Sequence, residues 1–297
     1  MALPELATLL LQQAINGVVV GCLYVLVALG LTLIYSIFGQ INFAHADFVT
    51  AGAFAAYFTL EKIAGSYLLG MVAALAVGAL LGLLINAAVF APLRDRDELS
   101  PLIATIGVSI LLENGQLALF GPIPYQFDSP FAGITFRLGR LFVSGQSLLI
   151  VVVAVGAIAL LYGVIRFTYL GKAMRAVAQD RETAGLMGID TARVLGATVV
   201  IASAFAGLAG ALLGPVLVLT PFAGATVIVK AFAIVVIGGF GNLEGTILAG
   251  ILVGLIESFT TQFLDPGWVD LVVFALLLLV LAVRPTGLIA ERREENV

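Results

Sequence analysis

Nine apolar stretches follow one another along the chain, at residues 12–37, 41–60, 65–91, 101–120, 146–167, 193–219, 221–240, 244–263 and 268–283. A helix needs about 20 predominantly apolar residues to cross a bilayer, so each is a candidate span. The second and seventh are the least regular, being rich in glycine and alanine and carrying ionisable residues. Composition agrees: 61% of the 297 residues are apolar and 11% charged, against roughly 45–50% and about 25% in a soluble chain. So little charge does not cover a soluble core. A soluble enzyme, a nucleic-acid binder with a basic face and a disordered tail protein are excluded on that ground. The expectation is an all-α integral membrane protein, a polytopic helical bundle of about 8–10 transmembrane helices, some broken or re-entrant, forming one transmembrane domain over residues 1–297.

Cys22 is the single cysteine and His45 the single histidine, so an internal disulfide, a cysteine metal cluster and most histidine metal sites are out of reach. No metal, no cofactor and no catalytic residue is expected. The first basic residue is Lys62, and without a positively charged n-region or a small-residue cleavage pattern the first stretch reads as a retained span.

Lys and Arg are retained on the cytoplasmic side of a membrane. Ten of the fourteen basic residues lie in three places: Arg94 and Arg96; Arg166, Lys172, Arg175, Arg181 and Arg193; and Arg284, Arg292 and Arg293. Even numbers of spans separate these segments, so all three fit inside at once. The N-terminus is then outside and the C-terminus cytoplasmic, with Lys62, Arg137 and Arg140 outside. The long external loop is 121–145.

Pro215, Pro221 and the run Gly238-Gly239-Phe240-Gly241-Asn242 interrupt two spans. Proline removes a backbone donor and clashes with the preceding turn, and irregular backbone at membrane depth persists only where protein or a water-filled cavity satisfies it. These points read either as a transport path or as an external turn with a tolerated kink. Small residues at four-residue spacing, Gly17/Gly21, Gly78/Gly82, Gly196/Ser203/Gly207 and Gly250/Gly254, let helices approach closely and read as packing.

Charges within membrane spans are functional candidates. Asn42, His45 and Asp47 form a polar cluster in the second span, about 9 Å from the inner end for Asp47 if the run is helical; they serve a translocation path or hydrogen bonding between helices. Glu113, Lys230 and Glu257 lie roughly 10, 13 and 9 Å below the outer ends of their spans, where they can meet, and Lys230 with Glu257 is the favoured pair. Between Tyr169 and Arg193 the internal loop reads YLGKAMRAVAQDRETAGLMGIDTAR. Ala176, Ala184 and Met187 can share one helical face, with Gly171 and Gly188 as punctuation. It reads as a short helix for a partner protein or as a solvated connector.

Three segments carry a resemblance: LQQAINGVVVGCLYVLVALGLTLIYSIFGQINFAHADF (11–48), GKAMRAVAQDRETAGLMGI (171–189) and VVIGGFGNLEGTILAGILVGLIE (235–257). Together they resemble the branched-chain amino-acid ABC transporter permeases, the shorter of the paired permeases, with Ala46 standing where most relatives are expected to carry glycine. The resemblance implies an inner-membrane subunit that works with a second homologous permease, two cytosolic ATP-binding subunits and an external solute-binding protein, with no nucleic acid among its partners. It implies an ATPase-coupling loop at about 169–192, with Arg175, Ala176, Asp180, Arg181, Glu182, Ala184 and Gly188 as its candidates. The chain has no G-x-x-x-x-G-K-[ST] phosphate-cradling loop: the single Gly-Lys pair, Gly171-Lys172, is followed by Ala173 and has Arg166 five residues upstream of Gly171.

The principal reading is therefore a permease for branched-chain or other hydrophobic amino acids. The alternatives are a permease of the same class for amides, urea or aromatic acids, and an ion-coupled secondary transporter. An intramembrane enzyme is the weakest reading, since it depends on His45 alone.

Overall fold

The computed structural model describes residues 3–94, 96–97 and 99–289. Arg292 and Arg293, assigned inside by charge, lie outside the described residues. Helix α1 (Leu3–Phe38) is followed by α2 (His45–Phe58), which runs on into a π-helical turn over Thr59–Ala64. Helix α3 (Tyr67–Ile85) passes through a second π-helical turn, Asn86–Phe90, into the short α4 (Ala91–Leu93). Then come α5 (Leu99–Phe120), a hairpin of β1 (Thr135–Leu138) and β2 (Leu141–Ser144), and α6 (Gly145–Phe167). Two amphipathic helices, α7 (Tyr169–Gln179) and α8 (Arg181–Leu186), precede α9 (Thr191–Leu213), α10 (Ala223–Gly238), α11 (Leu243–Phe263) and α12 (Val269–Val283).

Among the described residues, seven helices are long and apolar enough to cross a membrane: α1, α3 with α4, α5, α6, α9, α11 and α12. The second and seventh candidate spans are the short ones, α2 with 14 residues and α10 with 16. All nine alternate in direction. One face of the bundle collects the β-hairpin, Arg137 and Arg140; the opposite face collects Arg94, Arg166, the α7–α8 unit and Arg284.

Helices α1 and α9 form the centre, with Val25 to Ala28 of α1 and Val199, Ala202, Ala206 and Ala209 of α9 fully enclosed. The small residues set the helix spacing. A Cβ on Gly21 would stand 2.8 Å from the Cα of Ile251, and one on Gly78 would be 3.1 Å from the Cα of Gly207, so α1 packs on α11 and α3 on α9 at backbone contact.

Helix starts follow local chemistry. Ser66, Ser144, Thr168, Asp190 and Asn242 each accept a backbone N–H of the first turn of the helix that follows, as good N-caps do, at α3, α6, α7, α9 and α11. The residues in the cap positions of α2 and α10, Ala44 and Phe222, make no side-chain cap. Those are the two helices whose starts do not lie at either face.

Candidate functional site

Helix α2 begins deep in the bundle because residues 39–44, after Gly39 turns the chain with φ +68°, form no helix. The imidazole of His45 bonds the carbonyl of Val27 at 3.2 Å. A carbonyl oxygen only accepts, so Nε2 carries the proton. From Val27 to Phe38 is about 16 Å at 1.5 Å per residue, half of a hydrocarbon core some 30 Å thick. Residues 40–42, without regular structure, and the turn at Phe43–Ala44 carry the chain back to that level. Asp47 therefore sits deeper than the helical count from residue 41 places it, and it is 2% exposed. Ala46 is helical, so the position needs no glycine for backbone freedom.

The start of α10 meets the start of α2. Gly224 lies against the carbonyl of Ala46 so closely that a Cβ there would overlap it, and its N–H donates to Thr50 Oγ1 at 2.8 Å. One short helix thus supplies the cap that the other lacks. From Gly224 to Gly238 is about 21 Å, so α10 also starts inside the membrane. Residues 214–222, with Pro215 and Pro221, form the irregular approach to it.

Helix α5 covers the α2 start with a polar stripe. Ser109 Oγ donates to Asp47 Oδ2 at 2.6 Å, Gln116 Nε2 to the Asp47 carbonyl at 3.4 Å, and the Phe43 N–H to Thr105 Oγ1 at 3.4 Å. Asn42 Oδ1 accepts from the Ala44 N–H at 3.1 Å. Asn42 Nδ2, His45 Nδ1 and Gln116 Oε1 are buried with no hydrogen-bond partner among the described residues. Thr105, Ser109 and Gln116 recur on one face of an apolar helix, a periodicity visible in the sequence and unused in its reading.

Lys230 pairs with Glu257 as expected, at 2.9 and 3.0 Å to the two carboxylate oxygens. Tyr24 OH, from α1, donates to Glu257 Oε2 at 2.9 Å and lies 3.2 Å from Lys230 Nζ, while Asp270 Oδ1 of α12 stands 3.8 Å from the ammonium. Glu113, whose estimated depth allowed it to meet the other two, does not join this group. It sits on α5 between Ser109 and Gln116. At 3.6 residues per turn Lys230 is about 120° around α10 from Gly224, so the six candidate path residues fall into two clusters.

The internal loop forms two helices where one was expected. Asp180 separates them and caps α8, accepting from the N–H groups of Glu182 and Thr183 and from the Thr183 hydroxyl; those bonds hold its carboxyl below the usual carboxylate range. Gly188 ends the unit with φ +85°. Ala184 does not share an outward face with Met187. It is buried with Ile37, Ala173, Met174, Val177, Val194 and Leu195, because α8 folds back on the starts of α7 and α9. The outward apolar groups are Leu186 and Met187, 87% and 80% exposed. Arg175 reaches back to the Ile165 carbonyl and Arg181 to that of Arg94, tying the unit to the ends of α6 and α4. Ala176 is half-buried and Glu182 exposed.

A family described as the branched-chain amino acid transport system permease component matches residues 13–281. The chain belongs to that family. The permease is 34% identical to the high-affinity branched-chain amino acid transport system permease protein LivH of Salmonella typhimurium, over 97% of each chain. It is 35% identical to the corresponding BraD protein of Pseudomonas aeruginosa, over 97% of this chain and 98% of that one. A fructose import permease, FrcC of Rhizobium meliloti, is 30% identical over 72% of this chain and 62% of its own. The permease is accordingly a multi-pass membrane protein of a transport family and not an enzyme.

Proposed function

We propose that the permease is the membrane-spanning subunit of an ATP-driven importer in the inner membrane and forms the path for branched-chain amino acids handed over by an external solute-binding protein. The observation that carries this is the pair of helices α2 and α10, each preceded by irregular backbone and starting inside the bilayer. Discontinuous helices of this kind surround the substrate route in transporters, and unwound backbone survives at membrane depth where it faces protein or a water-filled cavity. The choice of branched-chain amino acids rests on the near full-length similarity, at 34–35% identity, to LivH and BraD.

The basic residues gathered on the α7–α8 face support a cytoplasmic position for it and an external one for the hairpin. One of two cytosolic ATP-binding subunits docks on it through Leu186 and Met187, and a second homologous permease completes the path and receives the other. The sequence has no phosphate-binding loop, so the partners hydrolyse the ATP. The test is reconstitution into vesicles with the cognate ATP-binding subunits, second permease and binding protein. Radiolabelled leucine should accumulate only with ATP present on the α7–α8 side. Uptake by this chain alone, driven by an ion gradient, would establish the secondary transporter instead.

A further inference from the structure

The loop between α5 and α6 ends in a two-stranded ribbon whose sides the bundle leaves largely uncovered. Strand β1 pairs antiparallel with β2, so that Phe136 stands opposite Val143 and Leu138 opposite Leu141. Side chains alternate along a strand, so these four share one face, and Thr135, Arg137, Phe142 and Ser144 share the other. The first face is wholly apolar, and Phe136 and Leu138 on it are exposed. On the second the Arg137 guanidinium lies over the Phe142 ring, 5.1 Å from its centre. Arg140 stands exposed in the turn. Among the described residues neither arginine has a carboxylate partner.

The ribbon is held at a fixed level. Gly145, the first residue of α6, donates its N–H to the Ile134 carbonyl at 2.7 Å. The amide of Gln12 on α1 stands in for a third strand, donating to the Phe142 carbonyl at 2.8 Å and accepting from its N–H at 2.9 Å. Helix α6 has 23 residues, with Arg166 in its last turn. That is about 33 Å at 1.5 Å per residue, against some 30 Å of hydrocarbon. With Arg166 at one boundary of the hydrocarbon, Gly145 lies at the other, and the ribbon begins where the headgroups do. There an open apolar face gains by leaving water, and a guanidinium without a carboxylate meets phosphate. We propose that the ribbon is an anchor in the lipid interface. Its Phe136 and Leu138 face rests on the acyl chains, as the apolar face of an interfacial amphipathic helix does, and Arg137 and Arg140 hold the phosphates of anionic phospholipid, whose geometry matches the guanidinium fork. The inference needs only that α6 crosses the membrane and is independent of which solute the permease carries.

The test uses the full-length chain carrying Trp268→Phe and Phe136→Trp. Trp268 is the single tryptophan of the sequence, so the reporter at position 136 is then the only one. It is reconstituted in vesicles of phosphatidylcholine and phosphatidylglycerol in which one or the other lipid carries brominated acyl chains. Both brominated lipids should quench the reporter, phosphatidylglycerol the more strongly. The binding constant of phosphatidylglycerol relative to phosphatidylcholine should fall roughly 5-fold in Arg137→Gln and again in Arg140→Gln, and hold its value in Arg96→Gln, exposed on the opposite face of the bundle. A reporter that neither lipid quenches overturns the anchor, as does a relative constant unchanged in both ribbon variants or lowered equally in Arg96→Gln. A reporter unquenched by lipid whose emission shifts only when the external solute-binding protein is added would make the ribbon that protein's docking surface instead.

Discussion

The imidazole of His45 occupies the room that Gly30 leaves: a Cβ on Gly30 would stand 2.6 Å from both Cε1 and Nε2 of the ring. The single histidine of the chain is thus locked by shape as well as by its bond to Val27. Overpacking of this kind costs about 1–3 kcal/mol, so Gly30→Ala should lower the unfolding temperature of the purified protein. Adding His45→Ala should return part of that loss, because the Ala202 carbonyl, 2.9 Å from the same Cβ position, still resists. Additive effects of the two substitutions would show that ring and glycine do not share the site.

Lys230 and Glu257 have side chains 17% and 19% exposed. Removing one partner of a buried pair costs about 3–5 kcal/mol, while replacing both by neutral groups can be close to neutral. Lys230→Met should be the more damaging single change, since Glu257→Gln leaves the ammonium near Asp270. The double variant should recover much of the folded yield by size-exclusion chromatography. A double variant as poor as the two losses combined would mean that the residues act independently.

For the cytoplasmic unit, Leu186→Asp and Met187→Asp change exposed positions and should alter stability by no more than about 0.5 kcal/mol. ATP hydrolysis stimulated by the loaded binding protein should nevertheless collapse. Ala184→Glu buries an unpaired carboxylate and should reduce folded yield. If Ala184→Glu folds normally and only uncouples, Ala184 is itself the docking residue.

Orientation is open to direct measurement. With Cys22, which is buried, changed to alanine, a cysteine at position 137 should react with an impermeant maleimide on intact spheroplasts, and one at 175 only after lysis. Labelling of position 175 from outside would invert the threading.

The nine spans, the two irregular ones among them and the glycine contacts were legible because each is a property of a single run of sequence. The Lys230–Glu257 pair was legible because isolated charges in a membrane need partners. Tyr24 was not, since nothing in its apolar run distinguishes it from a packing residue until a helix distant in sequence brings the carboxylate to it. Whether Glu113 joins the Lys230–Glu257 pair stayed open in the sequence because depth alone does not say which face a residue occupies. The second run was counted as helix from residue 41, whereas 41–44 form coil and a turn and the helix begins only at His45. Ala184 was turned the wrong way because periodicity within the loop does not register that Ile37 and Leu195 are waiting to cover it.

The last turn of α10 is completed from the far end of the chain. The N–H groups of Leu288 and Ile289 donate to the carbonyls of Ile237 and Gly238, and Gly287 fits against Gly239. During synthesis those carbonyls wait for roughly 50 further residues, about 3–10 s at 5–20 residues per second. Helix α10 is therefore finished only after α11 and α12 have been made. A chain terminated before Gly287 carries every described helix and still leaves α10 open at its base, so residues 287–289 act as a late-arriving clasp on a helix made long before them.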